Sequence, residues 1–269
     1  MPNAKDARHS VTRRILLLGD TGTGKTAQLL TLPGKKFVYA FDSNTLPTIE
    51  GFDIDYEEYL PSPVSAAASS LSKGKTPDRR IHTSSDVYRD WELTFEERLQ
   101  NGFHDAHDWV CFDSGTTLQD LMMDRIMTIN GRYGQWPHED DWGPQMNSFM
   151  NFCRTLSGSG LNVVVTGHMQ DKRKGRGADA GTRRVPMMTG SLIQKVPLLF
   201  SDILGCDSDK DEKGRVVYQL VTVRNAEFTV IRTAMRGLQP VENITIDFTQ
   251  DPVGQGLGGV LAWEQEQRK

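Results

Sequence analysis

The run Gly19-Asp20-Thr21-Gly22-Thr23-Gly24-Lys25-Thr26 constrains this chain more than any other stretch. It fits G-x-x-x-x-G-K-[ST], a loop whose glycines let backbone N–H groups turn inward around a polyphosphate. Such a loop sits between a buried strand and a helix, whose first turn adds a dipole that favours negative charge. Both flanks are present: Arg14-Ile15-Leu16-Leu17-Leu18 reads as a buried strand, and Ala27-Gln28-Leu29-Leu30 opens a helix. In that setting Lys25 is expected to reach the β- and γ-phosphates and Thr26 to ligate Mg²⁺, so the cofactors implied are ATP and Mg²⁺.

A strand–loop–helix unit of this kind needs further parallel strands beside it, and 269 residues suffice for one α/β domain with a substantial core. No apolar run reaches the roughly 18 residues of a membrane span, which argues against a membrane partner. The stretch from Met1 to Arg14 is polar and lacks an apolar signal core. Cys111, Cys153 and Cys206 show no C-x-x-C pairing, as expected of a reduced, cytoplasmic protein. The net charge is −4, so any contact with nucleic acid must come from a local basic patch. Residues 1–12 read as a flexible tail, 13–248 as the ATPase domain and 249–269 as a polar C-terminal tail with a frayed helix.

Further strands follow in order. Leu32-Pro33-Gly34 stops the first helix, and Phe37-Val38-Tyr39-Ala40-Phe41 is a second strand ending at Asp42. Residues 45–60 hold a weak alternation that fits a short strand, and most of 61–85 reads as a mobile loop. Trp91, Phe95 and Leu99 are four apart on a helix over 90–100. Trp109-Val110-Cys111-Phe112-Asp113 is an apolar strand ending in an acid, the Walker B pattern, where Asp113 can hold Mg²⁺ through water. A helix over 116–130 follows, its methionines filling core. Tyr133, Trp136 and Trp142 lie in a loop over 131–143, either stacking on bases or covering a hydrophobic edge. Within it His138-Glu139-Asp140-Asp141 reads as a solvated turn, ahead of a helix over 145–157.

Leu161-Asn162-Val163-Val164-Val165-Thr166 is another buried strand, and it delivers His168 to the same edge, beside the γ-phosphate position. Directly beyond it, Lys172, Arg173, Lys174, Arg176, Arg183 and Arg184 stand against only Asp171 and Asp179, with Gly175, Gly177 and Gly181 among them. A flexible basic loop there, in an acidic chain, is a candidate ligand for the backbone of single-stranded DNA. Val216 to Val223 alternates after the hairpin signal Asp211-Glu212-Lys213-Gly214, and Phe228 to Ile231 is a candidate to extend that antiparallel tail.

Taken together, Gly19–Thr26, Phe41-Asp42, Phe112-Asp113-Ser114 and Thr166-Gly167-His168 resemble the RecA-like core ATPases of phages, the single-strand annealing and recombination type. Pro186…Gly190…Lys195-Val196-Pro197…Phe200-Ser201-Asp202-Ile203 and Val217-Tyr218-Gln219-Leu220…Arg232…Ala234-Met235-Arg236 are similar to that family's later pattern. The resemblance implies an α/β, RecA-like P-loop NTPase with a central, mainly parallel sheet and an antiparallel C-terminal extension. It also implies a homo-oligomeric ring or filament on single-stranded DNA, with a single-strand-binding protein as a further partner, acting in the host cytoplasm.

Two departures bear on mechanism. The family commonly carries an acid two residues past the strand-end Asp, where it activates the attacking water. Here that residue is Asn44, and an amide is no general base. Glu50 and Asp42 are the candidate substitutes, and the sequence places neither. The family's basic pair near the tail, which contacts phosphate across a subunit interface, is here Met235-Arg236, which leaves Arg236 as the candidate finger and Arg232 in reserve. Asn44 also keeps open a nucleotide-dependent scaffold with little hydrolysis, and a packaging or translocation ATPase is a third possibility.

Overall fold

The computed structural model describes residues 12–62, 83–174 and 181–268. Its organising element is a sheet whose central strand, β1 (Arg14–Gly19), is hydrophobic on both faces. Ile15 and Leu17 enter one core, Leu16 and Leu18 the other. The same split runs through β2 (Lys36–Ala40), β4 (Trp109–Asp113) and the start of β5 (Val163–Lys174), because successive side chains of a strand point to opposite faces. Strands that are apolar on both sides need helices on both sides. On one face lie α3 (Ser84–Asn101), α4 (Gly115–Ile129) and α5 (Glu139–Gly158), contributing Trp91, Phe95, Leu118, Met122, Phe149 and Phe152. On the other lie α1 (Lys25–Leu30) and the C-terminal α7 (Gly256–Gln267), contributing Leu29, Leu257 and Leu261.

The strand order is β3-β2-β4-β5-β1-β7-β8-β9, with β3 (Asp55–Glu58), β7 (Asp202–Lys210), β8 (Val216–Val221) and β9 (Val241–Asn243) completing it. Pairing is parallel from β3 to β7 and antiparallel from β7 to β9. A mainly parallel sheet with an antiparallel C-terminal extension is the expected architecture. The short helices α2 (Thr45–Ile49) and α6 (Leu192–Lys195) lie in connections.

Several elements differ from the sequence expectations. The basic loop is largely a hairpin: β5 continues past His168 to Lys174 and pairs antiparallel with β6 (Gly181–Pro186). Helix α3 starts at Ser84, well before the first apolar spacing signal, because Thr83 and Asp86 form a capping box. Helix α5 starts at Glu139, so the acidic stretch is a helix start rather than a solvated turn. Asp141 is fully buried and accepts hydrogen bonds from His138 N (2.8 Å), Asn130 Nδ2 (2.8 Å) and the Arg132 guanidinium. Of Phe228 to Ile231 only Phe228 pairs, in one isolated bridge to Arg184, and β9 takes the place expected of the segment. The C-terminal segment is a packed helix, tied to the start of β1 by an ion pair between Glu264 and Arg13, and both residues are buried. The three cysteines are free and buried. The N-terminal tail and most of the loop assigned to 61–85 lie outside the described residues.

Candidate functional site

Register brings the sequence motifs to one edge. Gly19 at the end of β1 is opposite His168 of β5 on one side and Cys206 of β7 on the other. Asp113 ends β4, the next strand beyond β5. In open parallel sheets the crevice beyond these C-terminal ends is where ligands bind. A cavity of about 890 Å³ occupies it, lined by loop residues that include Gly24, Lys25 and Thr26 and by Asp42, Asn44, Asp113, His168 and Tyr218 among others.

The loop is held by close packing. Gly24 has φ 82°, and a Cβ there would lie 3.2 Å from the Tyr218 ring, so both conformation and space call for glycine. At Gly19 a Cβ would come within 2.5 Å of Cys206 O and of Thr23 Oγ1. Thr23 Oγ1 donates to Asp20 O at 2.8 Å, closing the turn. Lys25 is buried and its Nζ donates to Gly19 O (3.0 Å) and Asp20 O (2.7 Å). Burial pushes the ammonium pKa down, while Cys206, Asp113 and Asp42 oppose the shift. A buried ammonium held only by carbonyls is suited to take an anion.

Asp113 lies beneath the loop, 1% exposed. Its carboxylate accepts from Thr26 Oγ1 (2.9 Å), Thr45 Oγ1 (2.7 Å) and the Thr166 hydroxyl. Burial pushes its pKa up, and the hydroxyl donors pull against that. Thr26 and Asp113 are thus already in contact, a hydroxyl and a carboxylate of the hard-oxygen type that Mg²⁺ prefers. Among the described residues no cluster of three or more His, Cys, Asp or Glu could hold a metal without phosphate.

Asp42 is the site's second carboxylate. Burial raises its pKa, but the His168 imidazole nearby and hydrogen bonds from Thr117 and Ser114 outweigh that and hold it below the ordinary carboxylate value. His168 Nε2 is 3.8 Å from Asp42 Oδ2, and the Thr117 hydroxyl donates to Oδ1. His168 N donates to Thr116 Oγ1 at 2.9 Å, anchoring the strand end to α4.

The other candidates separate. Glu50 caps the end of α2, is exposed and does not line the cavity, whereas Asp42 lines it. Arg236 is exposed beside α7, its N–H 3.4 Å from Glu264 Oε1, away from its own chain's cavity. Arg232 donates to Pro197 O and Phe200 O, both at 3.0 Å, so it is structural. Lys172, Arg173 and Lys174 lie on β5, and Arg183 on β6. Arg184 is no free DNA-backbone ligand: its guanidinium pairs with Asp20, Glu227 and Asp207. Arg176 lies outside the described residues. Thr45, Thr117 and Tyr218 were missed as site residues, since a lone threonine or tyrosine carries no spacing signal.

The topology and site define a RecA-like P-loop NTPase fold built for nucleoside triphosphate. Residues 12–233 match the model of the AAA domain family, and the chain belongs to that family. It is also similar to a KaiC-like protein from the hyperthermophilic archaeon Pyrococcus horikoshii OT3, at 13% identity and TM-score 0.37, covering 87% of this chain and 85% of that one. A second similarity is to the Legionella pneumophila ATPase DotB, at 10% identity and TM-score 0.30, covering 78% of this chain and 45% of that one. No curated protein matches the sequence. The domain match names neither DNA nor recombination. Among the described residues no helix is long and apolar enough to cross a membrane.

Proposed function

We propose that this AAA-domain protein is an ATP-hydrolysing, single-stranded-DNA-binding protein of the phage annealing and recombination type, assembling as a ring or filament. The observation that carries the reading is the continuity of β5. One strand runs from His168 at the phosphate edge to Lys172 and Arg173 in the hairpin, and Lys172 is paired directly with Arg183. Like charges opposite each other across a hairpin destabilise it unless an anion lies between them, and a DNA backbone supplies one.

In this mechanism ATP would supply the scissile phosphoanhydride, and Thr26 and Asp113 would hold Mg²⁺, which would neutralise charge on the phosphates. Lys25 leaves its two carbonyls for phosphate oxygens. Asp42 accepts a hydrogen bond from the attacking water and orients it, while the Thr117 hydroxyl fixes the carboxylate and His168 lies beside it. Tyr218, beside Gly24, offers a face to the nucleoside. Arg236 of a neighbouring copy neutralises developing charge, as general phosphoryl-transfer logic requires. A nucleotide-switched scaffold without hydrolysis is the second reading, favoured by Asn44, which lines the cavity where an acid is expected.

The test is phosphate release with and without oligo(dT), using Lys25→Ala as the blank. Turnover that rises with single-stranded DNA, and less so at high salt, is expected. Nucleotide binding without turnover in either condition would favour the scaffold.

A further inference from the structure

We propose that Arg184 is the positioning residue of the phosphate-binding loop: its guanidinium neutralises Asp20 inside the loop and ties that loop to the β5–β6 hairpin. The inference rests on the nucleotide-binding reading, and concerns a contact that the loop motif does not contain.

Asp20 is the second residue of the loop, and its side chain is half exposed. Left alone, a carboxylate there repels a triphosphate. Its backbone oxygen also holds Lys25 Nζ at 2.7 Å, so the place of Asp20 sets where the lysine waits. Arg184 meets this carboxylate from β6 and is fixed on every side. Its N–H donates to Glu227 O at 2.9 Å, and its guanidinium lies 5.0 Å from the Phe228 ring centre. Nη1 is 3.2 Å from Glu227 and 3.8 Å from Asp207, while Nη2 takes Asp20. One cation therefore serves three carboxylates, of which Asp20 alone belongs to the loop. Among the described residues of the hairpin, Lys172, Arg173 and Arg183 make no ion pair, so Arg184 is its one electrostatic link to the nucleotide site. A ligand on the hairpin that displaces β6 must then change nucleotide affinity, and nucleotide must change the hairpin's affinity by the same factor.

The experiment is titration with a fluorescent N-methylanthraniloyl ATP at low and high salt. Arg184→Ala is expected to bind about tenfold more weakly at about 50 mM salt, with most of the loss gone at about 500 mM, because the exposed part of the repulsion is screened. With Asp20→Asn as the reference, adding Arg184→Ala is expected to change affinity by no more than about threefold, since removing the repelling charge removes the need for its partner. Where alanine fails to fold, Arg184→Gln keeps the side chain over Phe228 and carries the same expectation. Wild-type affinity in Arg184→Ala, or the same loss of about tenfold when Arg184→Ala is added to Asp20→Asn, would overturn the proposal. A wild-type protein that binds no nucleotide would remove the underlying reading and this inference with it.

Discussion

Three threonines from three elements converge on Asp113: Thr26 from α1, Thr45 from α2 and Thr166 from β5. They satisfy a carboxylate whose pKa burial pushes up, and pull against that shift. Asp42 is arranged differently: partly exposed, with the Thr117 hydroxyl and His168 beside it and its pKa held low, it stays a charged hydrogen-bond acceptor that can orient the attacking water. Asp42→Asn is therefore expected to lower kcat at least a hundredfold while nucleotide affinity moves only a few fold, whereas Glu50→Gln changes neither; steady-state phosphate release and nucleotide titration separate the two. A second prediction concerns His104, buried against Tyr39 with its Nε2 2.8 Å from the phenol oxygen. Burial, with Arg98 and His107 nearby, pushes its pKa down from 6.5 to about 4. A base with a depressed folded-state pKa contributes stability that is present above 6.5 and lost as pH falls toward 4. Wild-type protein should lose up to about 3 kcal/mol more than His104→Gln between neutral and mildly acid pH in urea unfolding. Parallel pH profiles for the two proteins would refute it.

The β5–β6 hairpin is where the sequence reading and the structure diverge most. Glycines suggested a flexible loop, yet Met169 to Lys174 pairs in register with Gly181 to Pro186, and Met169 and Val185 are buried. Apolar residues at the hairpin's base anchor it, which leaves Lys172, Arg173 and Arg183 on a defined element. Exchanging Arg173 and Arg183 together for alanine should weaken binding of single-stranded DNA about tenfold or more and reduce the slope of log affinity against log salt by about one and a half, as two phosphate contacts are lost. Nucleotide affinity should stay put. Fluorescence anisotropy at several salt concentrations measures both, and an unchanged slope would take the hairpin out of the DNA interface.

At the scale of the molecule, the two ends of the described chain close on each other. Arg13 before β1 pairs with Glu264 of α7 and lies 3.5 Å from Asp202 at the start of β7, all three buried. Arg268 joins the same Glu264. Removing Glu264 leaves buried Arg13 only its longer contact to Asp202, so Glu264→Ala should cost about 2–3 kcal/mol, read from the urea midpoint. A chain ending at Gln255 would also lose Leu257 and Leu261 and bare the face of α1 that carries Leu29. It is expected to aggregate, and light scattering during refolding would show whether it does.

The nucleotide loop, the strand ends at Asp113 and His168 and the parallel core were legible because each rests on local chemistry. A glycine spacing, an apolar run or an acid after a strand means the same thing wherever the chain goes next. Other features depended on contacts between residues far apart in sequence. Asp42 rather than Glu50 reaches the site because α2 turns Glu50 outward. Arg184 became a partner of Asp20, 164 residues away, because β6 folds back along β5. The C-terminal helix, polar enough to pass for a tail, is core because Leu257, Leu261 and Glu264 meet α1, β1 and β7. Local pattern alone determined what binds the phosphate; which acid faces it, and which cation steadies the loop, was decided only by tertiary packing.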